Sequence, residues 1–236
     1  MASDKRTFSK NIIYHVLNRG VDKRRIFLSE KDHLRFIHDL FEFNDAAQLT
    51  HTAYSFAKAS GTRKAIYIQK ERKPRKLLVE ILAFCLMPNH YHLLLRQKTE
   101  DGIIKFMRRL NMGYAKYFNE KYERNGSLFQ GRYKAVPVTT EAHFIHLPYY
   151  IHTNPLDLVA PDWRKQKLSN INSAWKHLEN YRWSSHLDYL DIRNFPSVTQ
   201  REFLQEILGE PKQYEKEFKK WLRDISLEPI EEKLLE

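Results

Sequence analysis

The sequence predicts an α+β fold, an antiparallel sheet with helices on one face, followed by a helical extension. Three observations predict it. The predicted elements follow the order strand, helix, strand, strand, helix, strand and helix, two of the strands are joined by only two residues, and helical patterns alone follow residue 165. This order is that of a ferredoxin-like sandwich with one further helix. A chain of 236 residues with 42% hydrophobic residues is long enough to bury such a core.

Local signals mark the first strand and the first helix. Residues 11–19 (NIIYHVLNR) carry β-branched and aromatic side chains and stop at Gly20, which predicts a strand. In the next segment Ser29 is an N-cap residue, and Asp32 takes the place of the Glu in a capping box. The helix is predicted to bury one face, made of Leu34, Ile37, Leu40 and Phe41.

Two apolar runs around a turn predict the central strands. Residues 77–87 and 90–96 are strongly apolar, and the Pro-Asn pair between them is a turn signal, so we expect an antiparallel hairpin. An amphipathic helix is predicted over 102–124, because its apolar side chains recur every three or four residues. The next run, GRYKAVPVT, predicts a strand, and Pro137 favours an edge or a bulge for it.

The last helix of the sheet region and the extension are predicted from caps and periodicity. Residues 140–153 predict a helix that ends before Pro155. In the extension we expect one helix around AWKHLENY, one that opens at Thr199 with Glu202 as its capping-box partner, and one with an apolar face. That face is formed by Tyr214, Phe218, Trp221 and Leu222. The chain therefore divides into a domain over 1–165 and an extension over 166–236.

The charge of the chain points to a polyanionic partner. Lys and Arg number 40 against 29 acidic residues, which gives a net charge of +11. Such a surface favours nucleic acid first and an anionic membrane second. Many of the cations lie in segment 45–76, which predicts an exposed basic loop or hairpin, either in contact with DNA or simply solvated.

Other compositional features exclude whole classes of site. Cys85 is the single cysteine, so an internal disulfide and a multi-cysteine metal site are excluded. No apolar run approaches the roughly 20 residues that span a bilayer. Because the start, MASDKRTFSKN, lacks the apolar core of a signal peptide, we expect a cytoplasmic protein that does not act at a membrane.

Two histidines on one predicted strand form the first candidate site. In LMPNHYHLLLR, side chains alternate between faces, so His90 and His92 point the same way while Tyr91 points the other way. Two imidazoles on one face suit a divalent cation but do not complete its shell, since such ions take four to six ligands. Packed or hydrogen-bonded histidines are the alternative interpretation.

The helix ending in YYIHTNP offers the remaining groups. Tyr150 and Asn154 are four residues apart and share a helical face, with His146 one turn earlier on the same stripe. If that face covers the histidine pair, two imidazoles, an amide oxygen and a phenol converge. This set suits phosphodiester chemistry in which the hydroxyl attacks phosphorus. Tyr149 lies about 100° further round the helix and is predicted to be a core contact.

Six stretches together resemble one family. YHVLNRG, CLMPNHYHLLL, GIIKFMRRLNMGYAKYFN, GSLFQGRYKA, YYIHTNP and YRWSSHLDYL follow the order and rough spacing of the REP-associated tyrosine transposases. These are bacterial relatives of the single-tyrosine insertion-sequence transposases. The resemblance runs from about residue 11 to residue 190.

The resemblance implies a histidine–hydrophobic–histidine (HUH) endonuclease that cuts and rejoins single-stranded DNA. It implies that His90 and His92 bind Mg²⁺ or Mn²⁺ together with Asn154, and that Tyr150 forms a 5′-phosphotyrosine bond and frees a 3′-hydroxyl. It also implies hairpin substrates, formed by repetitive palindromes, and an active unit that is a monomer or a homodimer. Segment 45–76 is longer than the matching connection in the family.

DNA contacts are predicted by residue type alone. Phosphates attract cationic side chains, while splayed bases need amides and aromatic rings. The predicted contacts are Asn18, Arg19, Lys105, Arg108, Arg109, Gln130, Phe129, Arg132, Tyr133 and Lys134.

Two other functions compete with this one. A domesticated DNA-binding protein would keep the fold and the basic surface without cutting. The presence of all four candidate site residues argues against it, whereas a Tyr150 geometry spoiled by Pro148, which removes a helical donor, would favour it. A nucleotide hydrolase of the histidine-triad kind would need a further alternating histidine, but Leu94 stands at that position.

Overall fold

The computed structural model describes residues 8–9, 11–46, 75–165, 168–225 and 227. Most of the basic segment 45–76 lies outside the described residues. The described strands are β1 (Ile13–Arg19), β2 (Val79–Met87), β3 (His90–Gln97) and β4 (Lys134–Pro137). The helices over the sheet are α1 (Glu30–Glu42), α2 (Gly102–Lys121) and α3 (Glu141–Thr153). Those of the extension are α4 (Ile171–Asn180), α5 (His186–Tyr189), α6 (Glu202–Leu208) and α7 (Pro211–Arg223).

The sheet has the order β2-β3-β1-β4, and each neighbouring pair is antiparallel. This order, with a helix after β1 and a helix after β3, confirms the ferredoxin-like α+β prediction. Strand β3 is central, and β4, with its Pro137, lies at an edge as predicted. Strand β2 lies at the other edge rather than in the centre.

The motif YRWSS covers the open edge of β2. The Leu86 amide donates to the Trp183 carbonyl at 2.9 Å, and the Ser185 amide donates to the Phe84 carbonyl at 3.0 Å. These bonds satisfy backbone groups that an edge strand otherwise leaves exposed. The extension is therefore joined to the sheet by main-chain hydrogen bonds as well as by side-chain packing.

Helices cover both faces of the sheet, which corrects the prediction that they lie on one face. Helices α1 and α2 pack on the first face in one apolar cluster. Helix α3 and the extension pack on the second face in another cluster, which includes Leu94 and Tyr150. Alternation along β2 sends side chains to both clusters, and a bulge between Ile81 and Ala83 places two consecutive residues, Leu82 and Ala83, on the second face.

The start of α1 matches its sequence signal, and its buried face matches in part. Ser29 and Asp32 form the capping box. Asp32 also accepts hydrogen bonds from Tyr117, Lys121 and Tyr122 of the α2 region, so this buried carboxylate ties the two helices together. Lys121 and Tyr122 help to lower the pKa of Asp32 to about 2 against the opposing effect of burial.

The contacts of Asp32 with the α2 region fix the rotation of α1 about its axis, and this rotation determines which of its residues face the core. Leu34, predicted to be buried, is 43% exposed, whereas Phe36 is fully buried with Ile37 and Leu40. Phe41 is only half-buried and packs at the margin of the cluster. The prediction for Leu34 was therefore wrong.

The extension follows its prediction except at one helix start. The four predicted side chains of α7 are all buried. Helix α6 begins at Glu202, with Arg201 at its N-cap, and not at Thr199. None of the described helices is both long enough and apolar enough to cross a bilayer.

Candidate functional site

The histidine pair lies on the second face of the sheet, near the start of β3. The antiparallel register places His90 opposite Arg19 and His92 opposite Leu17 on β1. The two imidazole rings have centroids 5.0 Å apart, and both side chains are buried. Alternation along the strand sends Tyr91 into the first-face core, where it packs against Phe36.

A neighbouring amide fixes the tautomer of His90. The Nδ1 atom of His90 lies 2.6 Å from the Oδ1 atom of Asn89. An amide oxygen only accepts, so Nδ1 carries the hydrogen and the lone pair of the neutral ring is on Nε2. The turn residue Asn89 therefore orients the ring as partners of metal-binding histidines commonly do.

His15 on β1 is a site residue that the sequence reasoning did not select. Its Nε2 lies 2.9 Å from Nδ1 of His92, and the two rings are stacked with centroids 5.2 Å apart. Burial lowers the pKa of His92 to about 3, helped by the charges of Arg164 and Arg19. His92 is therefore neutral at ordinary pH.

Helix α3 places a phenol over this pair. The ring centroid of Tyr150 lies 6.0 Å from that of His92 and 6.2 Å from that of His15, with no exposed surface. The helix continues through Pro148 to Thr153. Tyr149 instead stacks on Phe218 with centroids 5.1 Å apart and is a core contact, as its helical phase predicts.

His146 does not join the site. Its Nδ1 accepts a 2.8 Å hydrogen bond from the indole N–H of Trp221 on α7. The same helix therefore uses its first turns to bind the extension and its last turns to present Tyr150 and Asn154.

A second group that sequence reasoning missed lies after α3, in the short 3-10 helix Pro161–Lys165. Arg164 donates to the hydroxyl oxygen of Tyr150 at 2.8 Å and to Oδ1 of Asn154 at 2.9 Å. Asp157 receives two further bonds from the same guanidinium, at 3.1 and 2.7 Å. One arginine thus connects the phenol, the amide and a carboxylate.

The ligand types at the site fit a divalent cation if the imidazoles, the amide oxygen, and waters or phosphate oxygens are combined. Neutral imidazoles and an amide oxygen are accepted ligand types, and waters or phosphate oxygens fill the other positions of such ions. No group of three or more His, Cys, Asp and Glu side chains suited to a metal occurs within the described parts of the chain. His90 and His92 therefore need the Asn154 amide, whose oxygen accepts from Arg164 here.

Five of the predicted DNA contacts line one groove of about 250 Å³. Its lining residues are Leu17, Asn18, Arg19, Gln130, Gly131, Arg132 and Lys134. The groove adjoins the histidine strand, because Arg19 pairs with His90, and Leu17 pairs with both His92 and Lys134. Asn18 pairs with Tyr91, and its side chain therefore points to the first face, so the groove brings the cations of the β1 and β4 region near the histidine strand without placing every lining side chain on one face.

The remaining predicted contacts lie elsewhere. Lys105, Arg108 and Arg109 are on α2, which packs on the first face of the sheet. Lys105 donates to the carbonyl of Glu100, and Arg109 donates to that of Asp45.

The two aromatic candidates face the first-face core. Phe129 is buried against Tyr91, and Tyr133 packs at the margin of the same cluster. The structure therefore gathers the candidates on β1, at the start of β4 and in the segment before β4 into the groove, and leaves the α2 and aromatic candidates out of it.

Comparison with known proteins finds a family model that is similar to the central part of the chain. Residues 58–154 match the family model described as IS200-like transposase. No curated protein sequence matches the chain significantly.

Two solved structures are similar at low identity. One is a REP-associated tyrosine transposase bound to a REP hairpin, with 12% identity, a TM-score of 0.47, and coverage of 84% of this chain and 90% of that one. The other is a protein of Deinococcus radiodurans R1 assigned as a transposase, with 15% identity, a TM-score of 0.35, and coverage of 64% and 95%. Neither likeness bears on activity at these values. The matched residues 58–154 include the histidine pair, Tyr150 and Asn154, so this part of the chain is similar to the IS200-like transposases.

Proposed function

We propose that this transposase relative is a metal-dependent endonuclease and strand transferase for single-stranded DNA, with Tyr150 as its nucleophile. The observation that carries the proposal is the position of the Tyr150 ring, 6.0 Å from the buried ring of His92. A phenol beside two buried imidazoles is suited to attack on a phosphodiester next to a bound cation.

Each side chain has a definite part in the reaction. His90, His92 and Asn154 would hold Mg²⁺ or Mn²⁺, which would polarise the phosphate and offset its charge. Tyr150 attacks phosphorus in line, so that its oxygen–phosphorus bond forms while the bond from phosphorus to the 3′-oxygen breaks. The phenolic proton passes to solvent, and the departing 3′-oxygen takes up a proton. The 5′-phosphotyrosine is later reversed by another 3′-hydroxyl, without a nucleoside triphosphate.

The groove supplies the DNA contacts in this proposal. Arg19, Arg132 and Lys134 bind phosphates, while Asn18 and Gln130 offer amide donors and acceptors to unpaired bases. We assign hairpin DNA as the substrate because the motifs resemble those of REP-associated enzymes, one of which has been solved with a REP hairpin. The cytoplasmic location, the bacterial origin and the choice between monomer and homodimer stay predictions.

A denaturing gel tests the proposal directly. Wild-type protein with Mg²⁺ or Mn²⁺ and a hairpin oligonucleotide labelled on the strand 3′ of the cut should form a covalent protein–DNA band. Tyr150→Phe should abolish the band and leave hairpin affinity within about tenfold, since the hydroxyl adds one hydrogen bond at most. Tyr149→Phe is the matched control and should keep the band.

The non-cleaving alternative gives a different result. It predicts hairpin binding by the wild-type protein and no covalent band at any concentration of either cation. An unchanged band with Tyr150→Phe would show that the protein is an enzyme but that Tyr150 is not its nucleophile.

A further inference from the structure

Arg164 is a charged group at the nucleophile that neither the histidine pair nor the family motifs account for. Its Nη1 atom donates to the Tyr150 hydroxyl at 2.8 Å, and its Nη2 atom donates to Oδ1 of Asn154 at 2.9 Å. It therefore contacts the two oxygens of α3 on which the proposed chemistry depends.

The guanidinium is held in place from behind. Asp157 accepts from both its Nε and Nη2 atoms, in the forked geometry that arginine and carboxylate favour. Asp157 also accepts a 2.6 Å bond from the indole of Trp163, and the guanidinium lies 4.5 Å from the centroid of that indole. Because Trp163 is fully buried, the support is rigid.

This position places the positive charge where the phosphate must arrive. In a reactive geometry the attacking oxygen lies about 3–3.5 Å from the atom it attacks. A donor 2.8 Å from that attacking oxygen is within reach of the oxygens bound to phosphorus. Fixed cationic donors that meet such oxygens stabilise the charge that develops during phosphoryl transfer.

We propose that Arg164 is a further catalytic residue, whose guanidinium binds a non-bridging oxygen of the scissile phosphate while Tyr150 attacks. The inference rests on the proposed function and identifies a charge-stabilising group in the same site. The covalent change is unchanged: the Tyr150 oxygen–phosphorus bond replaces the bond to the 3′-oxygen, and Arg164 keeps its protons throughout. Asp157 acts as a positioning residue through Arg164.

Charge-altering variants test the inference on a hairpin that the wild-type protein cuts. Arg164→Gln should slow adduct formation by about 10²-fold, as removal of one fixed donor to a developing charge does. Arg164→Lys should lie between Arg164→Gln and the wild type, because a lysine keeps the charge and loses the fork. Lys165→Gln is the matched control: it removes one charge from the next residue, which is exposed and paired with Asp162, and should stay within about twofold of the wild type.

The substrate itself provides the decisive comparison. A methylphosphonate at the scissile linkage replaces one charged oxygen with a neutral methyl group. On that substrate the ratio of the wild-type rate of adduct formation to that of Arg164→Gln should be at least about tenfold smaller, because the charge that Arg164 contacts has been removed. An equal gap on both substrates would overturn the proposal, since it would mean that Arg164 only supports the fold or the pose of Tyr150.

Binding without turnover supplies an independent measurement. In EDTA, Arg164→Gln should reduce the slope of log affinity against log salt for the hairpin by about one, while Lys165→Gln leaves it unchanged. Equal slopes for the wild type and Arg164→Gln would contradict the phosphate contact. Should Arg164→Gln fail to fold, Arg164→Lys is carried through the same two-substrate comparison.

The two proposals fail in different ways. No covalent band with the wild-type protein overturns the proposed function and this inference together. A wild-type band with an equally fast band from Arg164→Gln overturns this inference alone.

Discussion

The two faces of the sheet are both buried, yet they bury different chemistry. The first face packs Val16, Leu93 and Leu95 against the apolar sides of α1 and α2. The second face buries His15, His92 and Asn154 with no exposed surface. Burial of polar groups costs free energy unless they are paired, so the second face is a poorer way to build a core than the first.

The polar side chains of the second face fall into two groups with different tasks. One group surrounds Tyr150 and faces the groove. The other joins α3 to the extension: His152 lies 2.7 Å from the Tyr214 hydroxyl and 2.8 Å from the Ser185 hydroxyl, and His186 lies 3.0 Å from the same Tyr214 oxygen. The first face therefore stabilises the domain. The second face is less stabilising because it buries polar groups, and it holds α3 with Tyr150 over two imidazoles.

The largest expected effect comes from the second face at the centre of β3. His92→Ala should lower adduct formation by about 10³-fold, because a bound cation contributes several kcal/mol to phosphoryl transfer. The same substitution should lower the free energy of unfolding by a smaller amount than it raises the barrier to adduct formation. Quantified adduct bands and urea unfolding curves measure the two effects, and full activity of this variant would exclude His92 as a ligand.

The neighbouring residue on the first face should show the reverse. Leu93→Ala should reduce the free energy of unfolding by about 3 kcal/mol, because it leaves a cavity in the apolar cluster. Adduct formation per folded molecule should stay near the wild-type value at low temperature. A selective loss of activity in a fully folded Leu93→Ala protein would break the distinction between the two faces.

A smaller effect is expected from pH on the polar network under the extension. Burial lowers the pKa of His186 to about 3, against 6.5 for an exposed histidine. The unfolded chain therefore binds a proton first, and stability falls as pH drops from about 6.5 toward 3. At pH 5 the loss from this one residue is about 2 kcal/mol relative to pH 7.

Unfolding curves at pH 7 and pH 5 measure this loss. In the control variant His186→Gln, the free energy of unfolding should fall between pH 7 and pH 5 by about 2 kcal/mol less than it does in the wild type. Identical pH dependence in both proteins would show that His186 does not titrate on unfolding in this range.

The smallest effect separates the groove from the basic face of α2. Arg132→Gln should weaken hairpin binding several-fold and reduce the salt slope by about one. Lys105→Gln removes the same charge from α2 on the other side of the sheet, and we expect little change. A larger effect from Lys105→Gln would mean that DNA contacts α2 as well, as its composition predicts.

The sequence was informative wherever a short-range period sets the geometry. Alternation along β3 places His90 and His92 on one face, and four-residue spacing on α3 places Tyr150 and Asn154 together. The capping box at Ser29 fixes the start of α1. Three- and four-residue spacing also predicts the buried face of α7.

The missed residues depend on long-range arrangement. His15 joins the site because β1 pairs with β3 in a register that brings it next to His92, and the predicted ferredoxin-like order implies the pairing but not the register. Alternation along β1 could have grouped His15 with Leu17 and Arg19, but not with His92. Arg164 lies in a short 3-10 helix with no useful period, and its contact depends on how the chain turns after α3.

The proposed mechanism is tested most directly by identifying the residue to which the DNA is covalently attached. Protease digestion of the covalent adduct, followed by mass spectrometry, locates the nucleotide on one peptide and then on one side chain. We expect a 5′-linked nucleotide on the hydroxyl of Tyr150 in the peptide that contains YYIHTNP. The same nucleotide on Tyr149 or on any other residue would contradict the geometry on which the proposed mechanism is built.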